Sequence, residues 1–205
     1  MSIVTTGSIT TYFHEVVEDA IKARHVEATN GATTYLVGLL SDYARPDQKA
    51  GEALARPLAF LLNEAMQTPS PAERFDKLRT LGDGVLYSCG FFGDHFEARG
   101  VDQGYLIGIG TTAYGAAASL LHVPSKTPDA PGLKLDIYRE LADNFRAFVG
   151  VLIEIADRTI SAGMQGAKDL VRVYERWLKT GSDGLAQALA AHGLVPTRGA
   201  KGVLQ

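Results

Sequence analysis

The sequence has little cysteine and little tryptophan, with one residue of each among 205. The single cysteine, Cys89, excludes a disulfide framework within the chain and a cysteine-rich zinc module. A surplus of positive charge is also missing, because 20 Lys and Arg residues stand against 23 Asp and Glu residues. Nucleic acid and anionic membrane surfaces both require a basic field. We therefore expect neither as a partner.

The first residues lack the basic region and the apolar run of a secretory signal, so we expect a cytoplasmic protein. Residues 103–125 contain no Asp, Glu, Lys or Arg, and an uncharged run of this length is a candidate membrane span. However, the run contains four glycines and lacks flanking basic clusters and an aromatic belt at each end. We interpret it as a helix that is buried in a soluble bundle.

Apolar residues recur at helical spacing along most of the chain, without internal repeats. One stripe has spacings of 4, 4, 3, 4 and 3: Ile137, Leu141, Phe145, Phe148, Leu152 and Ile155. Ser70-Pro71-Ala72-Glu73 forms a capping box, and Gly82-Asp83-Gly84 separates that helix from the next apolar run. The sequence predicts an all-α, single-domain bundle of about eight or nine helices over residues 1–192. A flexible C-terminal tail is predicted at 193–205.

The uncharged run carries small residues at helical spacings of 4, 4, 3 and 4. These residues are Gly104, Gly108, Thr112, Gly115 and Ser119. On a helix they form one face with almost no side chains, which we call the small-residue face. Such a face accepts a closely packed helix, a second subunit or a flat ligand, and close helix packing is the commonest of the three.

Gly108-Ile109-Gly110-Thr111-Thr112-Ala113 matches the G-x-G-x-x-A form of a dinucleotide-binding loop. That loop requires a strand before it and a helix after it, within a βαβ unit whose second strand ends in an acidic residue. No such unit follows in this sequence. Contact between helices explains the glycines better, and we predict no cofactor.

Several larger residues on and around the central helix suggest a pocket for an apolar small molecule or haem. They are Tyr87, Phe91, Phe92, Tyr105, Tyr114 and His122. This grouping supports an alternative hypothesis, in which the protein is a sensor or carrier.

Cys89 and His95 are candidates for a thiol nucleophile and its base. No local nucleophile signature surrounds Cys89, and a lone cysteine between aromatic residues is more often a small core residue. His14 and Glu18 have the i, i+4 spacing of metal ligands, but a solvated pair explains them better. We therefore predict no catalytic residue and no metal site.

One part of the sequence resembles an uncharacterised family of small bacterial helical proteins. The resemblance covers about residues 81–121 and rests on Leu81-Gly82-Asp83, Cys89-Gly90-Phe91-Phe92-Gly93-Asp94-His95, Gly104-Tyr105 and Ala113-Tyr114-Gly115. It implies a bacterial, cytosolic helical protein and assigns no activity, cofactor or site residue.

These observations favour a non-catalytic helical binding or interaction protein with a regulatory role. We expect it to associate with itself or with another protein, and the expected assembly is a homo-oligomer. The alternatives are the small-molecule or haem carrier and an enzyme that uses Cys89 with His95.

Overall fold

The computed structural model describes residues 6–44, 56–121, 133–163 and 167–196, and all regular structure in these ranges is helical. The helices are α1 Thr6–Ala23, α2 Asn30–Tyr43, α3 Leu58–Gln67, α4 Pro71–Ala98, α5 Gln103–Leu121, α6 Leu133–Asp143, α7 Phe145–Ala162, α8 Ala167–Thr180 and α9 Asp183–Ala191. The prediction of an all-α bundle with eight or nine helices is confirmed. Among these helices, none combines the length and the hydropathy that a bilayer crossing demands.

The chain divides into two compact units, Met1–Ile153 and Glu154–Gln205, with the boundary inside α7. The first unit contains α1 to α6 and the beginning of α7, and the second contains the end of α7 with α8 and α9. The predicted domain limits of 1–192 stay a prediction. Of the predicted tail, residues 197–205 lie outside the described residues.

Side-chain caps explain where several helices begin. The hydroxyl of Thr29 accepts from the N–H of Ala32 (3.2 Å) at the start of α2, and Ser70 accepts from the N–H of Glu73 (3.4 Å) at the start of α4. Asp102 accepts from the N–H of Tyr105 (2.9 Å) ahead of α5. Each cap satisfies a backbone donor that has no partner within its helix.

Helix α4 does not end at Gly82-Asp83-Gly84, so the separation predicted there is wrong. The helix continues to Ala98, with one non-helical residue at Phe92 (φ −124°, ψ 19°). All three residues of the Gly-Asp-Gly segment are buried, and the ring of Tyr114 lies against Gly82. The glycines therefore provide room for close packing, and they do not form a turn.

A break at Asn144 divides the long helix that the apolar stripe predicts into α6 and α7. The N–H of Asn144 donates to the carbonyl of Glu140 (2.9 Å), and that of Phe148 donates to the carbonyl of Asn144 (3.0 Å). Helical hydrogen bonding therefore passes through the break. Residues of the stripe on both sides of it, including Leu141, Phe145 and Phe148, are at most 1% exposed.

Helix α5 packs mainly on α4 and α6 in the first unit. Its buried face consists of Leu106, Ile109, Gly110, Ala113, Tyr114, Ala117 and Ala118. Two glycines allow very close approach: the ring of Phe145 lies against Gly110, and Leu152 lies against Gly90. Burial of this face against two helices fixes the orientation of α5.

The second unit has its own core, formed by Val173, Trp177, Leu185 and Leu189. Nε of Arg176 donates to Oδ1 of Asp157, whose side chain is fully buried. Burial raises the pKa of Asp157, and the hydrogen bond from Arg176 opposes that shift. The hydroxyl of Ser182 caps α9, because it accepts from the N–H of Leu185 (3.4 Å).

Candidate functional site

The small-residue face of α5 lies at the surface of the chain. Gly104, Gly108, Thr112 and Ser119 are exposed, and Gly115 is half-buried. A Cβ at Gly108 would meet no described atom within 4 Å. The larger residues on the opposite side of α5 provide its contacts with α4 and α6, so the helix is buried on that side only. That a helix, a subunit or a ligand covers this face stays a prediction.

The polar groups of this face are satisfied within the helix. The hydroxyl of Thr112 donates to the carbonyl of Gly108 (2.8 Å), and that of Ser119 donates to the carbonyl of Gly115 (2.9 Å). A hydroxyl that already has an intrahelical partner costs less to remove from water than a free one. Although it carries two hydroxyls, the face is therefore suited to burial against a second surface.

The predicted pocket residues separate into different environments. The rings of Tyr87 and Phe91 are stacked with centroids 4.7 Å apart, and Tyr43 of α2 stacks on Tyr87 at 4.2 Å. Phe92 and Tyr105 are 47% and 45% exposed, and Tyr114 is fully buried elsewhere; His122 lies outside the described residues. The aromatic rings on α4 contact one another, and a shared pocket for the whole group stays a prediction.

Sequence reasoning missed a buried polar cluster centred on Asp83, which is 7% exposed. Its Oδ1 accepts from the hydroxyl of Tyr35 (2.5 Å) on α2 and from that of Tyr114 (2.7 Å) on α5. Its Oδ2 accepts from Nη1 of Arg79 (3.2 Å), one turn earlier on α4. One carboxyl group therefore links three helices of the first unit.

The environment of Asp83 opposes its ionisation. Burial raises the pKa of this carboxyl, whereas the tyrosine hydrogen bonds and the Arg79 charge act in the opposite direction. Burial, together with the nearby Asp83 charge, raises the pKa of both Tyr35 and Tyr114. The two tyrosines therefore stay protonated and serve as hydrogen-bond donors. Their hydrogen bonds to Asp83 join the helices. Because the pKa of both phenols is raised, neither is poised to act as an acid.

One sequence signal pointed to this cluster. Arg79 and Asp83 have the i, i+4 spacing of a helical ion pair, provided that the helix continues through Gly82 and Gly84. The two glycines indicate a break, and a break between Arg79 and Asp83 would remove the significance of their spacing. The partners on α2 and α5 are 48 and 31 residues away in sequence, and no local pattern identifies them.

Cys89 does not have the environment of a nucleophile. Its side chain is 1% exposed, and burial raises the pKa of its thiol to about 12. A reactive cysteine requires the thiolate, which a lowered pKa provides. His95 is exposed and packs on the neighbouring Phe96 ring, 6.2 Å between centroids. The burial and the raised pKa of Cys89 argue against a Cys89 nucleophile with His95 as its base, and that hypothesis stays a prediction.

His14 and Glu18 form an exposed pair on α1, with 3.7 Å between Nδ1 and Oε1. Within the part of the chain that the structure describes, no three His, Cys, Asp or Glu side chains form a group that could hold a metal ion.

Comparison of the chain with protein-family models, with curated proteins and with solved structures gives no match. The resemblance to a bacterial helical family therefore stays a prediction, and any function must be inferred from the geometry of the chain itself.

Proposed function

We propose that the protein is a non-catalytic helical interaction protein that self-associates through the small-residue face of α5. The observation that carries this proposal is the exposure of Gly104, Gly108, Thr112 and Ser119 on a helix without a charged side chain. A solvent-facing helix surface normally carries charged residues. This surface has the composition of a contact surface.

The geometry of the face favours another helix as the partner. Small residues at spacings of 4, 4, 3 and 4 allow two helix axes to approach closely, so that backbone and methyl groups make many van der Waals contacts. A two-fold arrangement places the same face on both subunits and requires no second surface. A second copy of this chain is therefore the partner that we propose.

Analytical ultracentrifugation over a range of concentrations tests this proposal on the full chain. We expect the native chain to form a dimer, and we expect Gly108→Glu to remain monomeric because the dimer would bury an unpaired charge. Gly38 on α2 is a matched control, since it is also exposed and a Cβ there meets nothing within 4 Å. Gly38→Glu should leave the dimer intact.

Circular dichroism and thermal melting of both variants show whether each is folded. A native chain that stays monomeric at every concentration contradicts the proposal. A dimer that Gly108→Glu weakens no more than Gly38→Glu contradicts it as well, since the contact must then lie elsewhere.

A further inference from the structure

A surface cleft of about 330 Å³ lies in the first unit, between the α1–α2 connection and the beginning of α7. It is separate from the small-residue face and from the Asp83 cluster. Its lining residues are Arg24, His25, Val26, Glu27, Asn144, Arg146, Ala147 and Gly150. Two arginines and one histidine against a single glutamate give this cleft an excess of hydrogen-bond donors and positive charge.

The connection after α1 has an unusual backbone at His25, with a φ of +51°. The N–H of His25 donates to the carbonyl of Lys22 (3.1 Å), and that of Val26 donates to the carbonyl of Ile21 (3.1 Å). This is the pattern of a Schellman C-cap, where glycine is the usual residue. A non-glycine residue in this conformation costs about 1 kcal/mol, and such strain concentrates at functional sites.

Gly150 provides the space that Arg24 occupies. A Cβ at position 150 would lie 3.2 Å from Nη2, 3.5 Å from Nε and 3.7 Å from Cζ of Arg24. The flat face of the guanidinium group therefore lies against the backbone of α7. Arg146 lies four residues before Gly150, so it projects from the same side of that helix. The cleft thus receives one arginine from each of its two walls.

Within the described ranges, neither Arg24 nor Arg146 has an ion pair with an acidic side chain, although Glu27 lines the same cleft. Arg24 and Arg146 are exposed residues, and their guanidinium groups retain donors for another acceptor. A guanidinium fork matches the oxygens of a phosphate group in geometry and charge. The volume of the cleft is at the lower end of the range for small-molecule sites.

We propose that this cleft binds a small phosphate-bearing molecule, with Arg24 and Arg146 holding the phosphate. Asn144 and His25 supply further polar groups for the remainder of the ligand, and Gly150 is required because it allows Arg24 to lie along α7. The site is independent of self-association through α5, so either proposal can fail without the other.

Isothermal titration calorimetry at low ionic strength, with pyrophosphate and glycerol 3-phosphate as probes, tests the proposal on the full chain. We expect saturable binding with one site per chain, and we expect Arg146→Ala to lower the affinity at least tenfold. Gly150→Ala should lower the affinity several-fold because the new methyl group displaces Arg24. Since alanine favours a helix over glycine, the melting temperature of Gly150→Ala should not fall.

Arg139→Ala is the control, because Arg139 is an exposed arginine outside the cleft. Its affinity for both probes should equal that of the native chain. Binding that Arg146→Ala and Gly150→Ala both weaken, with Arg139→Ala unchanged, supports the site. Lack of saturable binding of either probe, or an equal loss in Arg139→Ala, overturns it.

Discussion

The ring of Tyr114 lies directly against Gly82, where a Cβ would come within 2.6 Å of Cε1 of the tyrosine. The hydroxyl of the same tyrosine donates to Asp83, the residue after that glycine. The absence of a side chain at Gly82 therefore allows the aromatic ring to lie deep between α4 and α5 and reach a buried carboxyl group. This relationship makes the pairing of α4 with α5 specific.

Tyr114→Phe should lower the free energy of unfolding by about 1–3 kcal/mol, because it removes one donor from a buried acceptor. Urea denaturation measures this change. Tyr105→Phe is the matched control, since Tyr105 lies on the same helix with 45% of its surface exposed. The control should change the free energy by less than about 0.5 kcal/mol. Equal effects of the two variants would show that the buried hydroxyl contributes nothing to stability.

Asp83→Asn should change how stability depends on pH. Because burial raises the pKa of Asp83 above its ordinary value of 3.8, the folded chain retains a proton that the unfolded chain loses as pH rises. The native chain therefore loses stability as pH rises from that value through the raised pKa. The asparagine variant keeps an oxygen for the two tyrosine hydroxyls and has no such proton to lose.

The stability advantage of the native chain over Asp83→Asn should therefore be larger near about pH 4 than near about pH 7. Denaturation at several pH values measures this difference, with Asp76→Asn on the exposed side of α4 as the control. An advantage that increases with pH would mean that Asp83 is stabilised as a carboxylate in the folded chain.

Gly110→Ala should destabilise the fold by about 1–3 kcal/mol, because the new methyl group would overlap the ring of Phe145. That ring is 1% exposed and has little room to move. Gly38→Ala on α2 is the control, since the space around it is open and it lies outside the small-residue face. It should stabilise the chain by up to about 1 kcal/mol through helix propensity. Thermal unfolding measures the stability of both variants, and a Gly110→Ala variant as stable as Gly38→Ala would contradict this packing.

Cys89 should react with iodoacetamide much more slowly in the folded chain than in the unfolded chain, because its thiol is buried and its pKa is raised to about 12. Mass spectrometry after timed labelling at neutral pH, with and without denaturant, measures the two rates. Rapid labelling of the folded chain would support the enzyme hypothesis, against which the burial of Cys89 argues.

The sequence allowed the helices to be predicted where local signals determine them. The serine cap at Ser70 and the apolar stripe through Leu141, Phe148 and Leu152 follow from short-range physical chemistry. In the structure Ser70 caps α4, and the three stripe residues are buried. Long-range packing overrode local preference at Gly82-Asp83-Gly84, because burial against Tyr114 keeps these residues helical. The helix period could be predicted from sequence, but the partner helix could not.

The same limit applies to the central helix. Its spacing correctly defined a face of small residues, but composition alone did not indicate whether that face points inward. Three glycines that make close contacts inside the chain are Gly82, Gly90 and Gly110. Their contacts with Tyr114, Leu152 and Phe145 depend on residues 32 to 62 positions away, beyond the reach of any helical period.

The position of Trp177 makes the two units separately observable by spectroscopy. It is the one tryptophan of the chain and lies in the core of Glu154–Gln205, whereas seven of the eight tyrosines lie in Met1–Ile153. Fluorescence excited where only tryptophan absorbs therefore reports the unfolding of the second unit. Tyrosine absorbance reports mainly that of the first. One denaturation experiment with both signals shows whether the units unfold together or in succession.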